Sequence, residues 1–294
     1  MAMLIDGKAV AAELRAQLRQ KVQRLWQERA IRPGLALLLV GDNPASQVYV
    51  RSKAKACQEV GFLSIVEHLP ADTPQQVVFD YVARWNERED IHGILVQLPL
   101  PKQIEEQEVL LRIDPWKDVD GFHPENVGRL VLGLPCFVPC TPAGILELLR
   151  RYVGPLSGKH VVVVGRSNIV GKPVANLLMQ KTPDANAIVT VCHTGAHDLA
   201  QYTRQADVLI AAMGVAGIVG PEHLKEGAVV IDVGINRVVD PASGKERLVG
   251  DVRFEEVLPR VAAITPVPGG VGPMTIAMLL WNTYRAATGE VWRR

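Results

Sequence analysis

One lysine stands where the pattern of its segment predicts an apolar side chain. Residues 43–61 read NPASQVYVRSKAKACQEVG. In a helix of 3.6 residues per turn, one stripe contains Ser46, Tyr49, Val50, Lys53, Cys57 and Val60. An apolar setting disfavours an ammonium and lowers a lysine's pKa, which suits proton transfer. The alternative is a lysine at the edge of the stripe, whose stem packs while its ammonium reaches water.

Polar residues that could act with this lysine follow two other segments. Gln97 ends the apolar run GILVQ (93–97). The ligand crevice of a parallel sheet lies beyond such strand ends, so this amide could bind a lysine or a ligand, or it could simply face solvent. Asp118 and Asp120, in KDVDGF, predict a turn. No third ligand of suitable spacing follows, so we predict no metal site; binding of a heterocycle's amino group is the competing functional interpretation.

A second set of residues has a pattern typical of nucleotide binding. The run HVVVVG (160–165) leads into RSNIVGKP, which predicts a strand, a glycine loop and a helix start that can hold a pyrophosphate. The motif lacks the G-x-G-x-x-G fingerprint. The next strand ends in His193 and Thr194 rather than in an acidic residue, and Arg166 can reach the same corner. We therefore predict NADP rather than NAD, with a structural role as the alternative for His193.

The elements that must position these residues alternate along the chain. We predict helices at 8–29, 43–61, 73–87 and 104–113 and strands at 35–41, 62–69 and 93–98. Strands that are apolar on both faces and alternate with helices predict a parallel sheet covered by helices. Residues 114–144, rich in proline and glycine, are interpreted as a connecting, ligand-facing loop region.

The same alternation continues in the second half of the chain. A helix near Thr141 leads into strands predicted at 160–165, 187–195, 207–214, 228–236 and 262–267. A hairpin is predicted around 241–244, and a closing helix at 273–287.

We therefore predict an α/β fold with two α/β domains and a cleft between them. The first domain combines residues 1–140 with 268–294, because the closing helix is expected to return to it. The second, residues 141–267, is predicted to be a Rossmann-like NADP-binding domain.

Composition excludes several other classes of protein. The 32 basic and 31 acidic side chains give a formal charge of +1, without a basic patch for nucleic acid or a membrane surface. The apolar runs are too short to span a bilayer, and the first residues lack the pattern of a secretory signal. Cysteines at 57, 136, 140 and 192 form no C-x-x-C pair, so we expect neither a disulfide nor zinc, and a cytoplasmic location.

Taken together, the motifs resemble one known family, the bifunctional methylenetetrahydrofolate dehydrogenase/methenyltetrahydrofolate cyclohydrolases. The resemblance rests on six blocks in order: YVRSK (49–53), VQLPLP (96–101), KDVDGF (117–122), GRSNIVGKP (165–173), DVGIN (232–236) and PGGVGPMT (268–275). It implies a folate substrate in the cleft, NADP on the second domain and a homodimer. It also implies oxidation of 5,10-methylenetetrahydrofolate and hydrolysis of the methenyl product to 10-formyltetrahydrofolate.

The resemblance also assigns roles by matching position. Lys53 would be the catalytic lysine, Tyr49 would position the folate, Gln97 would hold and tune Lys53, and Asp120 would bind the pterin ring. The rest of the substrate site would contain Val96, Leu98, Pro268, Gly269, Gly270, Gly272, Pro273, Thr275 and Ile276. The NADP contacts, with His193 added from the strand argument above, would be Gly165, Arg166, Ser167, His193, Thr194 and Ile235.

Two other functions remain open on the sequence alone. A two-domain NADP-dependent dehydrogenase of another small substrate would keep the glycine loop but would not need Tyr49, Lys53 and Gln97 to converge. A non-catalytic NADP sensor would bind the nucleotide without hydride transfer. A formate-ligating activity is not expected, since the 294 residues include no P-loop.

Overall fold

The computed structural model of the protein describes residues 2–239 and 244–291. They divide into two compact units, Met1–Ala11 with Thr141–Thr275, and Ala12–Cys140 with Ile276–Arg294. We name them the six-stranded unit and the three-stranded unit after their main sheets.

The strands and helices are numbered in chain order. The strands are β1 (Met3–Leu4), β2 (Gly34–Val40), β3 (Leu63–Leu69), β4 (Gly93–Val96), β5 (His160–Val164), β6 (Ile188–Cys192), β7 (Val208–Ala211), β8 (Val229–Asp232), β9 (Asn236–Val239), β10 (Glu246–Val249) and β11 (Ala263–Ile264). The α-helices are α1 (Gly7–Arg29), α2 (Pro44–Val60), α3 (Gln75–Glu87), α4 (Glu106–Arg112), α5 (Pro124–Leu132), α6 (Cys140–Tyr152), α7 (Gly171–Leu178), α8 (Leu199–Thr203), α9 (Phe254–Val257) and α10 (Val271–Thr288).

The three-stranded unit is built on a parallel sheet of order β3–β2–β4. Every residue of β2 is buried. Successive side chains of a strand point to opposite faces, and Leu37 accordingly packs with residues of α1, α2 and α10, whereas Leu38 packs with residues of α3 and α4. The prediction of a parallel sheet with helices on both faces is confirmed here.

The six-stranded unit has a wholly parallel sheet of order β1–β11–β8–β7–β5–β6. Counting from β5, its strands follow the doubly wound order 2-1-3-4-5, with β1 added at the edge beyond β11. From β5 the chain passes first to β6 on one side of it and then to β7 on the other side, so the order in which strands are added reverses between β5 and β7. The carboxyl ends of these two strands are where such folds bind ligands. The predicted two-domain α/β fold is thus confirmed.

The predicted domain limits differ from these units at residues 1–11 and 268–275. Both segments belong to the six-stranded unit. The reason is β1, which pairs in parallel with β11, together with the backbone amide of Lys8, which donates to the carbonyl oxygen of Gly269 at 2.8 Å. Pairing between the first and the last strand of a sheet depends on distant residues and leaves no local pattern.

One further difference concerns a helix, and the predicted hairpin is also found in part. The region 114–144 contains helix α5, which was not predicted, although His123 and Pro124 form a recognisable helix start. Strands β9 and β10 pair antiparallel, as the predicted hairpin requires. The turn residues 240–243 lie outside the described residues.

In the described part of the chain, no helix combines the length and the hydropathy needed to cross a membrane.

Candidate active site and nucleotide site

Helix α2 holds Lys53 in a largely buried position. The side chain of Asn43 accepts hydrogen bonds from the first backbone amides of the helix, and Gly61 ends the helix in a left-handed conformation (φ 87°). Lys53 is 9% exposed and lies on the buried face with Val50 and Cys57. The alternative in which its ammonium extends into water therefore does not describe this structure.

The partner of Lys53 is the predicted glutamine. The Lys53 ammonium donates to Gln97 Oε1 at 3.0 Å. Gln97 follows β4 directly; its backbone amide donates to the carbonyl oxygen of Leu38, and its Nε2 donates to that of Leu98 at 2.7 Å. Nε2 of Gln97 already donates to the carbonyl oxygen of Leu98, so the amide oxygen faces the lysine. A protonated lysine has N–H donors and no acceptor, so this oxygen is the partner that it needs. The glutamine therefore fixes the direction of the lysine side chain.

Asp120 is the carboxylate whose surroundings are most like those of a ligand-binding group. It is half-buried, and burial raises its pKa, while the nearby Lys53 ammonium and the Cys140 thiol oppose this increase. The thiol donates to Asp120 Oδ1 at 3.8 Å and to the carbonyl oxygen of Val119 at 3.4 Å. Lys53 and Asp120 thus form a pair of opposite charges in one small region.

Asp118, by contrast, organises the turn that carries Asp120. It is 1% exposed and accepts hydrogen bonds from the backbone amides of Gly121, Phe122 and His123 and from Asn126 Nδ2. Burial raises its pKa to about 7, and these hydrogen bonds favour the ionised form. The turn aspartate of the sequence analysis is therefore Asp118.

Asn126 connects this turn to two other segments. It is fully buried; its Nδ2 donates to Pro115 and Asp118, and its Oδ1 accepts from the backbone amide of Phe137. We expect Asn126→Leu to lower the free energy of unfolding by about 3 kcal/mol, because three buried polar groups lose their partner. Urea denaturation measures this.

The matched control for that variant is Gln107→Leu, which removes an amide from an exposed position of α4. Its effect is expected to stay within about 0.5 kcal/mol. Equal losses in both variants would contradict the role given to Asn126.

Tyr49 and Val96 differ from their expected settings. Tyr49, predicted on the buried stripe, is 38% exposed, although Ser46, nearer to the helix start, is buried. Its ring is therefore accessible to a ligand. Val96 is buried in the core with α3 and α4, so its side chain cannot contact a substrate. Leu98, two residues later, is partly exposed.

The glycine loop lies at the point where the sheet order reverses. Gly165 has φ 129°, and a Cβ there would overlap the carbonyl oxygen of Ala212, which follows β7. A Cβ at Gly171 would overlap the carbonyl oxygen of Gly165. The loop therefore has room for backbone only, as the fold requires where a pyrophosphate approaches.

The first amides of α7 are not free for a phosphate, contrary to the simplest reading of the motif. The backbone amides of Val170 and Gly171 donate to Ser167 Oγ at 3.1 and 3.3 Å, and that of Lys172 donates to the carbonyl oxygen of Ser167 at 3.1 Å. The exposed side chains at this corner include those of Arg166 and Ser167.

His193 and Thr194 follow β6, beside Gly165. The backbone amide of Gly165 donates to the carbonyl oxygen of Cys192 at 2.8 Å, so the ends of β5 and β6 are adjacent. His193 is partly exposed and its Nδ1 accepts from the backbone amide of Gly195 at 3.0 Å, whereas Thr194 is exposed. The five predicted residues at these strand ends thus share one corner: Gly165, Arg166, Ser167, His193 and Thr194.

Ile235 and the loop 268–275 meet in the same unit. A Cβ at Gly272 would lie 3.6 Å from Ile235 Cδ1, and Thr275 Oγ1 lies 2.9 Å from Thr141 Oγ1. Gly270 is buried beneath the loop, where its amide donates to Pro266, so it shapes the loop instead of facing a ligand.

The other predicted members of this loop are at least partly exposed, and Ile276 already belongs to the three-stranded unit. The exposed or partly exposed members are Pro268, Gly269, Gly272, Pro273 and Thr275.

The structure also shows site residues that the sequence did not reveal. Cys140 contacts Asp120, and the buried Asn282 donates to the carbonyl oxygens of Val119 and Val138. The Asn282 contacts join segments more than a hundred residues apart, so no local spacing could have predicted them. Within residues 2–239 and 244–291, no group of three or more His, Cys, Asp or Glu side chains could hold a metal ion.

Comparison with known proteins decides the family. Residues 5–120 match the model of the tetrahydrofolate dehydrogenase/cyclohydrolase catalytic domain, and residues 139–291 match that of the NAD(P)-binding domain of the same family. The chain belongs to the tetrahydrofolate dehydrogenase/cyclohydrolase family. The family resemblance inferred from the six blocks is confirmed.

Individual relatives agree with this membership over nearly the whole chain. The bifunctional protein FolD of Chlorobium phaeovibrioides is 59% identical over 96% of both chains. The structure of the bifunctional methylenetetrahydrofolate dehydrogenase/cyclohydrolase FolD of Campylobacter jejuni is 50% identical, has a TM-score of 0.92 and covers 99% of this chain and 100% of its own. That of Trypanosoma brucei FolD, complexed with NADP and an inhibitor, is 43% identical, with a TM-score of 0.93 and 99% of both chains covered.

Proposed function

We propose that this tetrahydrofolate dehydrogenase/cyclohydrolase oxidises 5,10-methylenetetrahydrofolate with NADP and hydrolyses the resulting methenyl compound to 10-formyltetrahydrofolate. The observation that carries the proposal is the buried Lys53, held by Gln97 beside Asp120, in a chain that matches both domains of the family. A dehydrogenase of another substrate would not need this arrangement. A sensor would not need a buried lysine that can transfer protons.

The folate is bound in the three-stranded unit by groups of complementary chemistry. The Asp120 carboxylate accepts hydrogen bonds from the N–H groups of the pterin ring. The accessible ring of Tyr49 packs against the folate, and Leu98 lies next to the fixed Gln97.

The nucleotide is held at the carboxyl ends of β5 and β6. Gly165 and Gly171 let the loop pack closely against the carbonyl oxygens of Ala212 and Gly165, which gives the loop the shape that is proposed to accept the pyrophosphate. Arg166 supplies a permanent positive charge, and no carboxylate of β6 stands in the place where an NAD-specific fold binds the ribose hydroxyl. Bound NADP supplies the hydride acceptor, while the protein positions and orients the reacting groups.

The hydrolytic step needs proton transfer, and Lys53 provides it. Water adds to the methenyl carbon and loses a proton, which leaves a hydroxyl group. That hydroxyl loses its proton as the formyl C=O forms, the bond from the carbon to N5 breaks and N5 gains a proton, so one proton is released overall. The ε-amino group accepts a proton when neutral and donates one when charged. Gln97 Oε1 accepts one of its N–H groups and so keeps the amine directed toward the substrate.

A coupled assay tests this function. Purified protein is mixed with 5,10-methylenetetrahydrofolate and either NADP or NAD, and the absorbances of NADPH and of methenyltetrahydrofolate are followed separately. We expect NADPH formation that depends on the folate, followed by decay of the methenyl signal faster than without protein. Nucleotide binding without reduction would support the sensor, and reduction only with a different substrate would support the other dehydrogenase.

The raised pKa of Asp120 predicts how folate binding depends on pH. Since burial raises this pKa, acidification neutralises the carboxylate at a higher pH than for an ordinary aspartate, and its hydrogen bonds to the pterin are lost there. We expect the ratio of folate-analogue affinity between wild type and Asp120→Asn to fall as the pH is lowered from about 8 to about 5. Calorimetric titration at each pH measures it.

The ratio cancels the titration of the ligand itself, so the change belongs to residue 120. A ratio that does not change over this range would contradict the proposed role of the carboxylate.

We further propose that the protein is a homodimer, acts in the cytoplasm and binds neither nucleic acid nor membranes. The balanced charge of +1 and the absence of a membrane-spanning helix among the described residues support the latter parts. Sedimentation equilibrium tests the dimer; a monomer at assay concentration would contradict it.

A further inference from the structure

Two carboxylates lie completely inside the six-stranded unit, at the carboxyl edge of its sheet. Asp232 is the last residue of β8 and is 3% exposed; Asp251 follows β10 and is 0% exposed. Burying a carboxylate costs free energy unless hydrogen bonds compensate. The partners of these two side chains are therefore informative.

Asp251 connects the segments that follow two neighbouring strands. Its Oδ2 accepts from the backbone amides of Met213 and Gly214, after β7, at 2.7 and 2.8 Å. Its Oδ1 accepts from Asn236 Nδ2, after β8, at 2.9 Å. One buried side chain thus fixes two loops at the edge of the sheet where the nucleotide is proposed to bind.

Asp232 fixes the same region from the other side. Its Oδ1 accepts from the backbone amides of Gly234 and Asp251, and its Oδ2 from that of Val252, all at 2.9–3.0 Å. Burial raises the pKa of Asp232 to about 6, and these three hydrogen bonds favour the ionised form.

Two glycines make room for the carboxylates. A Cβ at Gly234 would overlap Asp251 Oδ1, and a Cβ at Gly250 would overlap Asp232 Oδ2. Each carboxylate therefore lies against a backbone position that has room only for glycine.

The residue between the two anchors is Ile235. Gly234 is held by Asp232 and Asn236 by Asp251, while the side chain of Ile235 stays 44% exposed beside Gly272. An exposed apolar side chain on a backbone fixed at both neighbours is suited to packing against a flat ring.

We propose that Asp251, supported by Asp232, is a positioning residue for the nucleotide: it holds Ile235 and the 213–214 turn in the arrangement that NADP requires. This inference rests on the proposed function. Asp251 itself touches no ligand, since its oxygens are used by the protein. Its contribution is to fix the positions of the groups around the nicotinamide before binding, so that binding does not have to order them.

A reciprocal exchange between Asp251 and Asn236 tests the proposal. In Asp251→Asn, the amide oxygen can still accept from Met213 and Gly214, but without the negative charge, and Asn236 must turn its amide over so that Oδ1 faces the new Nδ2. In Asn236→Asp, two buried carboxylates face each other. The double variant restores one donor and one acceptor with the hydrogen bond reversed, and it keeps the same total charge.

We expect each single variant to raise the KM for NADP about tenfold or more, the change produced by losing one charge-assisted hydrogen bond. The double variant is expected to return to within about threefold of wild type. Cyclohydrolase activity, which depends on Lys53 in the other unit, is expected to remain at the wild-type level in all three.

The matched control is Asp207→Asn, at the opposite edge of the same sheet. Asp207 accepts from the backbone amide of His160 and pairs with Lys225. Its variant is expected to lose stability on heating while keeping the KM for NADP.

The outcomes separate the possible failures. An unchanged KM for NADP in both single variants, or equal losses of both activities in them, would overturn the positioning role. A double variant whose KM for NADP is no closer to wild type than those of the single variants would also overturn the positioning role. The double variant remains decisive where a single variant does not fold. If wild type reduces no NADP at all, the proposed function fails, and calorimetric NADP affinity of the same variants still tests the role of Asp251.

Discussion

Lys53→Met is expected to lower the cyclohydrolase turnover number by about a thousandfold, because it removes the group that transfers a proton. Methionine keeps the length and the apolar stem of the side chain, so α2 can still pack. What it lacks is the amine that donates to Gln97 Oε1 and carries the proton. The rate of decay of methenyltetrahydrofolate absorbance gives the effect directly.

The control for this variant lies two residues away on the same helix. Lys55 is exposed, on the opposite face of α2, and Lys55→Met should hydrolyse at the wild-type rate. Hydride transfer needs positioning more than proton transfer, so the Lys53 variant should retain more dehydrogenase than cyclohydrolase activity. Full hydrolysis by Lys53→Met would remove the basis of the proposed mechanism.

The second large effect is expected from Gly165→Ala. The residue combines φ 129° with a Cβ position that overlaps the carbonyl oxygen of Ala212, so the loop and the end of β7 would have to separate. We expect kcat/KM for NADP to fall at least about a hundredfold, while hydrolysis in the three-stranded unit continues. NADP-dependent reduction and methenyl hydrolysis are measured on the same preparation.

Gly128→Ala serves as the control. Gly128 lies within α5 and a Cβ there would meet nothing within 4 Å, so alanine should stabilise the helix by up to about 1 kcal/mol and leave both activities unchanged. If Gly165→Ala reduced NADP normally, the glycine loop would not be the nucleotide site.

The sequence predicted those parts of the fold that depend on local patterns. Fully apolar runs such as 35–40 could only be strands buried on both faces, and β2 is buried along its whole length. Helix α5 was missed because proline and glycine around it suggested a loop. Strand β1, of two residues, has no pattern of its own and exists because β11 offers it an edge.

For the candidate site, too, the sequence predicted the residues that stand out in a local pattern. Lys53 was conspicuous because it broke the pattern of its helix, and Gln97 because it ended a buried strand. Asp251 and Asn282 gave no such signal, since their hydrogen bonds reach segments that are distant along the chain. Polar contacts of this kind depend on the complete tertiary structure, and the periodicity of the sequence gives no information about them.

The pairing of β1 with β11 has a consequence for synthesis on the ribosome. Residues 3–4 leave the ribosome about 260 residues before their strand partners, residues 263–264. The three-stranded unit is likewise completed only by residues from Ile276 onward. Neither unit can therefore close before residues 263–276 have been made, which lengthens the time that a chaperone has to engage the growing chain.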